Sequence, residues 1–335
     1  MSVEESPRRS PLIWVFYLLT ALAAGAAIPS QGRVNAELVT VVQDPVLTTL
    51  LSFLSGLIIM ALAVPLSPRG RRAMKNVLPS IRSGQVKIWY LFAGFIGAYF
   101  VLTQSLAMGA VGIAVFSVAV VTGQTVGGLL WDRIGLGPAG RKRISAMRVF
   151  GAVLTVAAVL WTVSPQLSTT DRGVLWLLLV VLPFSGGFLQ AAQQALNGRQ
   201  LAAYGNSLPG TLFNFISGTA VLAVAWLIKI AVDGVGEPLP TTWWYYLGGP
   251  FGIVFIALGA YLVSRVGVLL AAMGMIAGQL LGSLLLDVLF PAPGSLITLA
   301  TILGTVLTLV AVVVASLPDV LGQGRGRPPR SSRNA

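Results

Sequence analysis

Ten apolar runs, each close to the length of a bilayer span, fill this chain: residues 12–30, 45–66, 88–107, 110–131, 146–164, 174–194, 208–230, 243–263, 267–288 and 295–316. A spanning helix needs about 20 mainly apolar residues, because each residue rises 1.5 Å and the hydrocarbon is about 30 Å thick. Within that layer every backbone polar group must be satisfied by the chain itself, so runs of this length specify helices. Of the 335 residues, 56% are hydrophobic and 10% charged, against about 25% charged in soluble domains. The expected fold class is therefore an all-α integral membrane protein with ten transmembrane helices. The third and fourth runs part only near Met108-Gly109, and the eighth and ninth only around Arg265. Tight hairpins are expected at both places.

The net charge of +12 would suggest nucleic acid on a soluble protein. Here the cations sit in the gaps between apolar runs, where cytoplasmic loops of membrane proteins carry Lys and Arg, so no nucleic-acid partner is expected. With the N-terminus inside and ten crossings, all but Arg33, Arg172 and Lys229 of the 22 basic residues fall on the cytoplasmic side. Glu37, Asp44, Asp171, Asp233, Glu237 and Asp287 fall outside. A wrong helix count would swap the side of every later loop, so the asymmetry places both termini in the cytoplasm. A cleavable signal peptide is not expected, because Pro29, Gln31 and Asn35 follow the first run rather than a small-residue cleavage site.

The two halves repeat each other. Gly25, Gln31, Asn35, Thr49, Leu50, Phe53, Ser55 and Gly56 have the same spacing as Gly187, Gln193, Asn197, Thr211, Leu212, Phe215, Ser217 and Gly218. A second block pairs Trp89, Gly94, Gly97, Gly112, Gly123, Gln124, Gly127 and Asp132 with Trp244, Gly249, Gly252, Gly267, Gly278, Gln279, Gly282 and Asp287. Apolar composition alone would not keep Asn, Gln, Asp and Trp in register. The units are read as 1–165 and 166–321, followed by a basic tail, 322–335, expected to be disordered and cytoplasmic. Five helices per unit is an odd number, so the second unit enters the membrane inverted. Inverted repeats are a recurrent plan of secondary transporters, with the site where the halves meet.

No His and no Cys is present, which removes the usual thiolate, imidazole and soft-metal chemistry. No carboxylate lies in the middle of a predicted helix. Neither a metal site, a cofactor nor a catalytic set is expected. The polar residues inside the apolar runs are amides. Gln31 and Asn35 stack on one helix face, four residues apart, and Gln190, Gln193 and Asn197 share a face of the sixth helix. Gln104, Gln124, Asn214 and Gln279 complete the set. Each amide both donates and accepts, so several together can line a wet cavity. Each is also able to serve as interhelical glue, at about 0.6–2 kcal/mol per bond. The Gln31, Asn35, Gln193 and Asn197 set is expected to converge at the repeat axis. Gly123 with Gly127, and Gly278 with Gly282, form small-xxx-small faces suited to close helix packing. Trp89, Tyr90 and the Trp243–Tyr246 run sit at helix starts as interfacial anchors.

The segment GQTVGGLLWDRIGLGPAGRKRISAMRVFGAVLTV resembles the end of a unit from a bacterial inner-membrane branch of the drug/metabolite transporter superfamily. That unit has a Gly-Gln motif on helix four, an acidic helix end, a basic loop and an Arg-Gly start to helix five. The pattern from Gly25 to Gly56 and its mate from Gly187 to Gly218 resemble the start of the same unit. The second half departs from the pattern: Pro291 and Pro293 replace the basic loop, and Thr301 stands where the first half has Arg148. The resemblance implies a ten-helix inner-membrane transporter with a central cavity. Its units occur singly and paired, or fused; pairing of two fused chains into a homodimer is left open by the sequence.

The function expected is a secondary transporter or exporter of a small metabolite or amphipathic compound. A non-transporting membrane partner is the alternative; it has no need of a symmetric polar lining.

Overall fold

The computed structural model describes residues 11–141, 144–167, 173–234, 236–266, 268–291 and 297–323. The expected disorder of the tail falls almost wholly on 324–335, outside the described residues. Every element among the described residues is helical. The helices are α1 (Pro11–Val42), α2 (Pro45–Leu66), the short α3 (Pro68–Lys75) and α4 (Val77–Arg82), α5 (Gly94–Thr103), α6 (Gly109–Val111), α7 (Ile113–Ile134), α8 (Ala146–Leu167), α9 (Gly173–Tyr204), α10 (Leu208–Asp233), α11 (Gly248–Val266), α12 (Val268–Leu289) and α13 (Leu299–Gln323). A 3₁₀ turn (Ile88–Phe92) precedes α5, and a π-helical turn (Gln104–Met108) joins α5 to α6, so that 88–111 acts as one span.

Nine spans among the described residues are long and apolar enough to cross a bilayer. The remaining one is α11, whose 19 residues reach about 28 Å at helical rise. Two helices run past their apolar segments. The first run ends near residue 30, yet α1 continues to Val42 and is 32 residues long; α9 likewise reaches Tyr204. No Gly or Pro interrupts 33–42, and Leu38 and Val42, on the helix face of Gln31 and Asn35, are buried. The amides therefore sit on regular helix rather than in loops. The chain turns at Gln43, which has φ 56°, and Asp44 caps α2 by accepting from the Val46 and Leu47 N–H groups at 2.9 and 3.0 Å. Lys229 of α10 pairs with Asp44 at 3.1 Å.

The two halves interlock through their glycines. A methyl at Gly123 would stand 2.0 Å from the Phe184 carbonyl oxygen, and one at Gly278 would stand 2.3 Å from the Leu22 carbonyl oxygen. Gly127 meets Phe188, and Gly282 meets Ala26. The reciprocal notches are Gly187 against Val120 and Gly25 against Met275. Thus α7 of the first half lies on α9 of the second, and α12 on α1, through equivalent residues. The same exchange joins α8 to α13, where Gly151 meets Ala315 and Gly304 meets Thr162. The small faces form the seam between the halves.

The tight hairpin into α7 turns at Gly112, with φ 88°. Asp287, on α12 of the other half, accepts from the Ile113 and Ala114 N–H groups at 3.1 and 2.7 Å. It thereby caps the helix and is 2% exposed. The first-half counterpart, Asp132, accepts from Arg148 at 2.9 Å. Trp89, Trp243 and Trp244 are exposed as anchors should be, whereas Tyr90 is buried; its carbonyl accepts from Gln200 Nε2 at 2.7 Å.

Candidate functional cavity

Between α1, α2, α5, α9, α10 and α11 lies a cavity of about 110 Å³ lined by Ile28, Gln31, Phe53, Gly97, Phe100, Val101, Gln190, Gln193, Gln194, Asn197, Asn214, Phe215, Gly252, Phe255 and Ile256. Most of these fall into repeat pairs, including Gln31 with Gln193, Phe53 with Phe215, Gly97 with Gly252 and Phe100 with Phe255, so the cavity sits on the axis relating the halves. Glycine makes the room. A methyl at Gly97 would stand 2.8 Å from Gln193 Nε2, and one at Gly252 would stand 3.4 Å from Gln31 Nε2. No lining residue is charged. A solute with net charge would lack a counter-charge here, and uncompensated burial of charge is costly.

Of the expected amides, the cavity collects Gln31, Gln190, Gln193, Asn197 and Asn214, together with Gln194. Asn214 Nδ2 donates to Asn197 Oδ1 at 2.9 Å, while Asn214 Oδ1 has no partner among the described residues. Gln31 Nε2 reaches Ser52 Oγ at 3.5 Å. Ser52 is the repeat mate of Asn214; aligning the two units would have found it.

The other four predicted residues lie outside the lining. Gln124 Nε2 donates to Gln190 Oε1, tying α7 to α9 behind the cavity. Gln279 is the mate of Gln124, but the mate of Gln190 is Ile28, which has no side-chain acceptor, and Gln279 Nε2 has no partner among the described residues. Gln104 Nε2 donates to the Ile28 carbonyl at 3.4 Å. Asn35 was expected to face Asn197 across the axis. It instead packs against α11, where a methyl at Gly248 would stand 2.5 Å from its Oδ1. Neither of its amide atoms has a partner among the described residues, a burial costing about 1–3 kcal/mol per atom.

The two halves are unequally covered. Asn35 is 1% exposed, and Gln31 and Gly32 are also buried. Their mates Asn197 and Gln193 are partly accessible, and Gln194, the mate of Gly32, is exposed. The cavity is therefore more accessible along α9, at the end of the bundle that carries Arg199, than along α1.

Comparison with known proteins agrees with this architecture. A family model described as "Putative inner membrane exporter, YdcZ" matches the chain twice, over residues 16–161 and 178–314. No curated protein matches the chain. One solved structure, described only as "Crystal structure of protein", matches with a TM-score of 0.52 at 16% identity, covering 95% of this chain and 100% of that one; the likeness is one of fold alone. Two copies of one exporter unit, five spans in each and glycine faces joining them, make this chain a multi-pass inner-membrane protein that belongs to the YdcZ exporter family of drug/metabolite-type transporters.

Proposed function

We propose that this protein exports a small, neutral, hydrogen-bonding or amphipathic solute by alternating access, with the 1–165 and 166–321 units rocking about the glycine seam. The observation that carries the reading is the convergence of Gln31, Gln190, Gln193, Asn197 and Asn214 on one uncharged cavity at the repeat axis. Amides exchange donors and acceptors with a solute without a counter-ion, and Phe53, Phe100, Phe215 and Phe255 supply apolar walls. At about 110 Å³ the cavity is below the roughly 300–1,000 Å³ of a drug-sized pocket, which favours a solute of few heavy atoms. The basic end of the bundle, with Arg199 and the Arg69–Lys87 segment, is taken as cytoplasmic. The conformation is then open inward, the loading state of an exporter.

The test is a thermal-shift screen of purified protein against neutral metabolites and amphipathic compounds, followed by flux of each hit in proteoliposomes. A ligand bound at 100 times its Kd should add about 2.7 kcal/mol of stability, and the same compound should be carried across the bilayer. Flux without saturation, equal in protein-free vesicles, would refute transport.

A further inference from the structure

Six cations on one short stretch have nothing to neutralise them. Arg69, Arg71, Arg72, Lys75, Arg82 and Lys87 are all exposed, and none is in an ion pair among the described residues. The sequence offers them no local partner, since no acid lies between Asp44 and Asp132. Arg71 donates to the Pro65 carbonyl at the end of α2 at 2.7 Å and still presents further N–H groups. Two other cations at the same end of the bundle are taken up by the fold. Arg148 pairs with Asp132 at 2.9 Å, and Arg199 donates to the Leu136 and Gly135 carbonyls at 2.6 and 2.7 Å.

The stretch is a fixed platform. Ser67 caps α3 by accepting from the Gly70 N–H at 3.2 Å. Gly70, Ala73 and Val77 are buried, three and four residues apart on one face, and Met74 packs beside Val77. A methyl at Gly70 would stand 2.5 Å from the Val64 carbonyl oxygen, so α3 lies tight against the end of α2. Asn76 Nδ2 donates to the Tyr204 carbonyl at 3.1 Å, which ties the platform to α9. Arg69, Arg71, Arg72 and Lys75 fall on the opposite side of α3. Leu66, Leu78, Ile88 and Trp89, in the same segment, are exposed apolar side chains. A helix with one cationic side, an apolar rim and a Trp opening the next span has the make-up of a segment that lies in a headgroup layer. The fold itself does not require the charge. The corresponding connection of the second unit, residues 234–242, joins its two spans with Glu237 and no cation.

We propose that α3 and α4 form a binding surface for anionic phospholipid, with the six cations meeting headgroup phosphates of the leaflet at the basic end and the rim side chains meeting the acyl chains. Arginine can hold two phosphate oxygens at once, and lysine acts as a point charge. Long basic side chains reach the headgroups while their stems lie along the apolar rim. Attraction of this kind selects lipids of net negative charge. The inference is independent of the transport reading, because none of these residues lines the cavity.

Gln85 is exposed between Arg82 and Lys87 in the chain, and there is no native cysteine, so Gln85→Cys can carry a fluorophore as reporter. The full chain is reconstituted in phosphatidylcholine vesicles. These contain a small fraction of phosphatidylglycerol, or of phosphatidylcholine, spin-labelled near the top of one acyl chain as quencher. Each cation that meets a headgroup is worth about fivefold. Labelled phosphatidylglycerol should therefore quench at a mole fraction about fivefold or more below labelled phosphatidylcholine, and the preference should shrink as salt is raised. With Arg69→Gln, Arg72→Gln, Lys75→Gln and Arg82→Gln combined, the preference should fall to near one. Arg72→Gln with Lys75→Gln, expected to lose part of it, is the second variant should the fourfold one not fold. Equal quenching by the two lipids in the parent chain, or a preference unchanged in a folded variant, overturns the inference. So does a short RNA that binds the parent in neutral vesicles and not the variant, which would give the surface to a soluble polyanion.

Discussion

Phe53 and Phe215 each place a ring in the notch left by a glycine on the other's helix: Phe53 against Gly218 and Phe215 against Gly56, where added methyls would stand 2.2 Å from the facing ring atoms. The rings meet at 5.5 Å and 61°. They are repeat mates, so a single contact is used twice across the axis, joining α2 to α10 at the cavity wall.

Because the rings share both notches, their contributions should not add. Phe53→Ala and Phe215→Ala should each destabilise, and the double variant should lose less than the sum by about 0.5–3 kcal/mol. Unfolding in detergent measures this cycle. Additive losses would mean that the rings pack independently.

The glycine seam makes a second prediction with an internal control. Gly123→Leu and Gly278→Leu should sharply reduce folded yield, since the added atoms meet backbone at 2.0 and 2.3 Å. Gly128→Leu, where no atom lies within 4 Å, should leave yield unchanged. Gly151 is tight as well, with Ala315 Cβ at 2.5 Å from an added methyl, so it belongs with the sensitive group. Size-exclusion profiles of the variants decide the matter.

Asp287 caps α7 across the seam. Asp287→Ala should lower stability by about 0.5–2 kcal/mol, and Asp287→Asn should also destabilise, because its amide keeps one acceptor where two N–H groups donate and turns an NH2 donor toward the other. A thermal melt in which neither variant falls below the parent would show that the cap contributes nothing to stability.

The orientation is checked by Gln85→Cys and Glu237→Cys, both at exposed positions. An impermeant reagent applied to intact cells should modify position 237 and leave position 85 unmodified. The reverse pattern would invert the proposed topology and make the conformation outward-open.

Much of this was legible in the sequence because membrane helices announce themselves by length and apolarity, and because the repeat register carried Gly, Asn and Gln positions from one half to the other. Gly123, Gly127, Gly278 and Gly282 follow directly from that register. The cavity was only partly legible. Gln31, Gln193 and Asn197 are on it, but Asn35 has the same spacing and is buried away from it, since a sequence repeat cannot tell which of two mates is covered in a given conformation. Gln124 and Gln279 show the same limit from another cause: their difference lies in the partners, Gln190 and Ile28, which belong to the opposite half. The π-helical turn at Gln104–Met108 has no local signal at all, as no Pro or Gly lies within it.

The central claim is that the converging amides bind solute rather than merely hold helices together. It is tested most directly by the Kd of a screening hit for the parent chain, Gln193→Ala, Asn197→Ala and Gln124→Ala. Loss of a solute hydrogen bond of about 0.5–1.5 kcal/mol predicts a Kd roughly 2–13-fold weaker for Gln193→Ala and Asn197→Ala, with melting nearly unchanged for Gln193→Ala and lowered for Asn197→Ala by the lost bond to Asn214, and no change in Kd for Gln124→Ala. Unaltered affinity in the two cavity variants, with stability lowered in both, would make those amides glue and contradict the account.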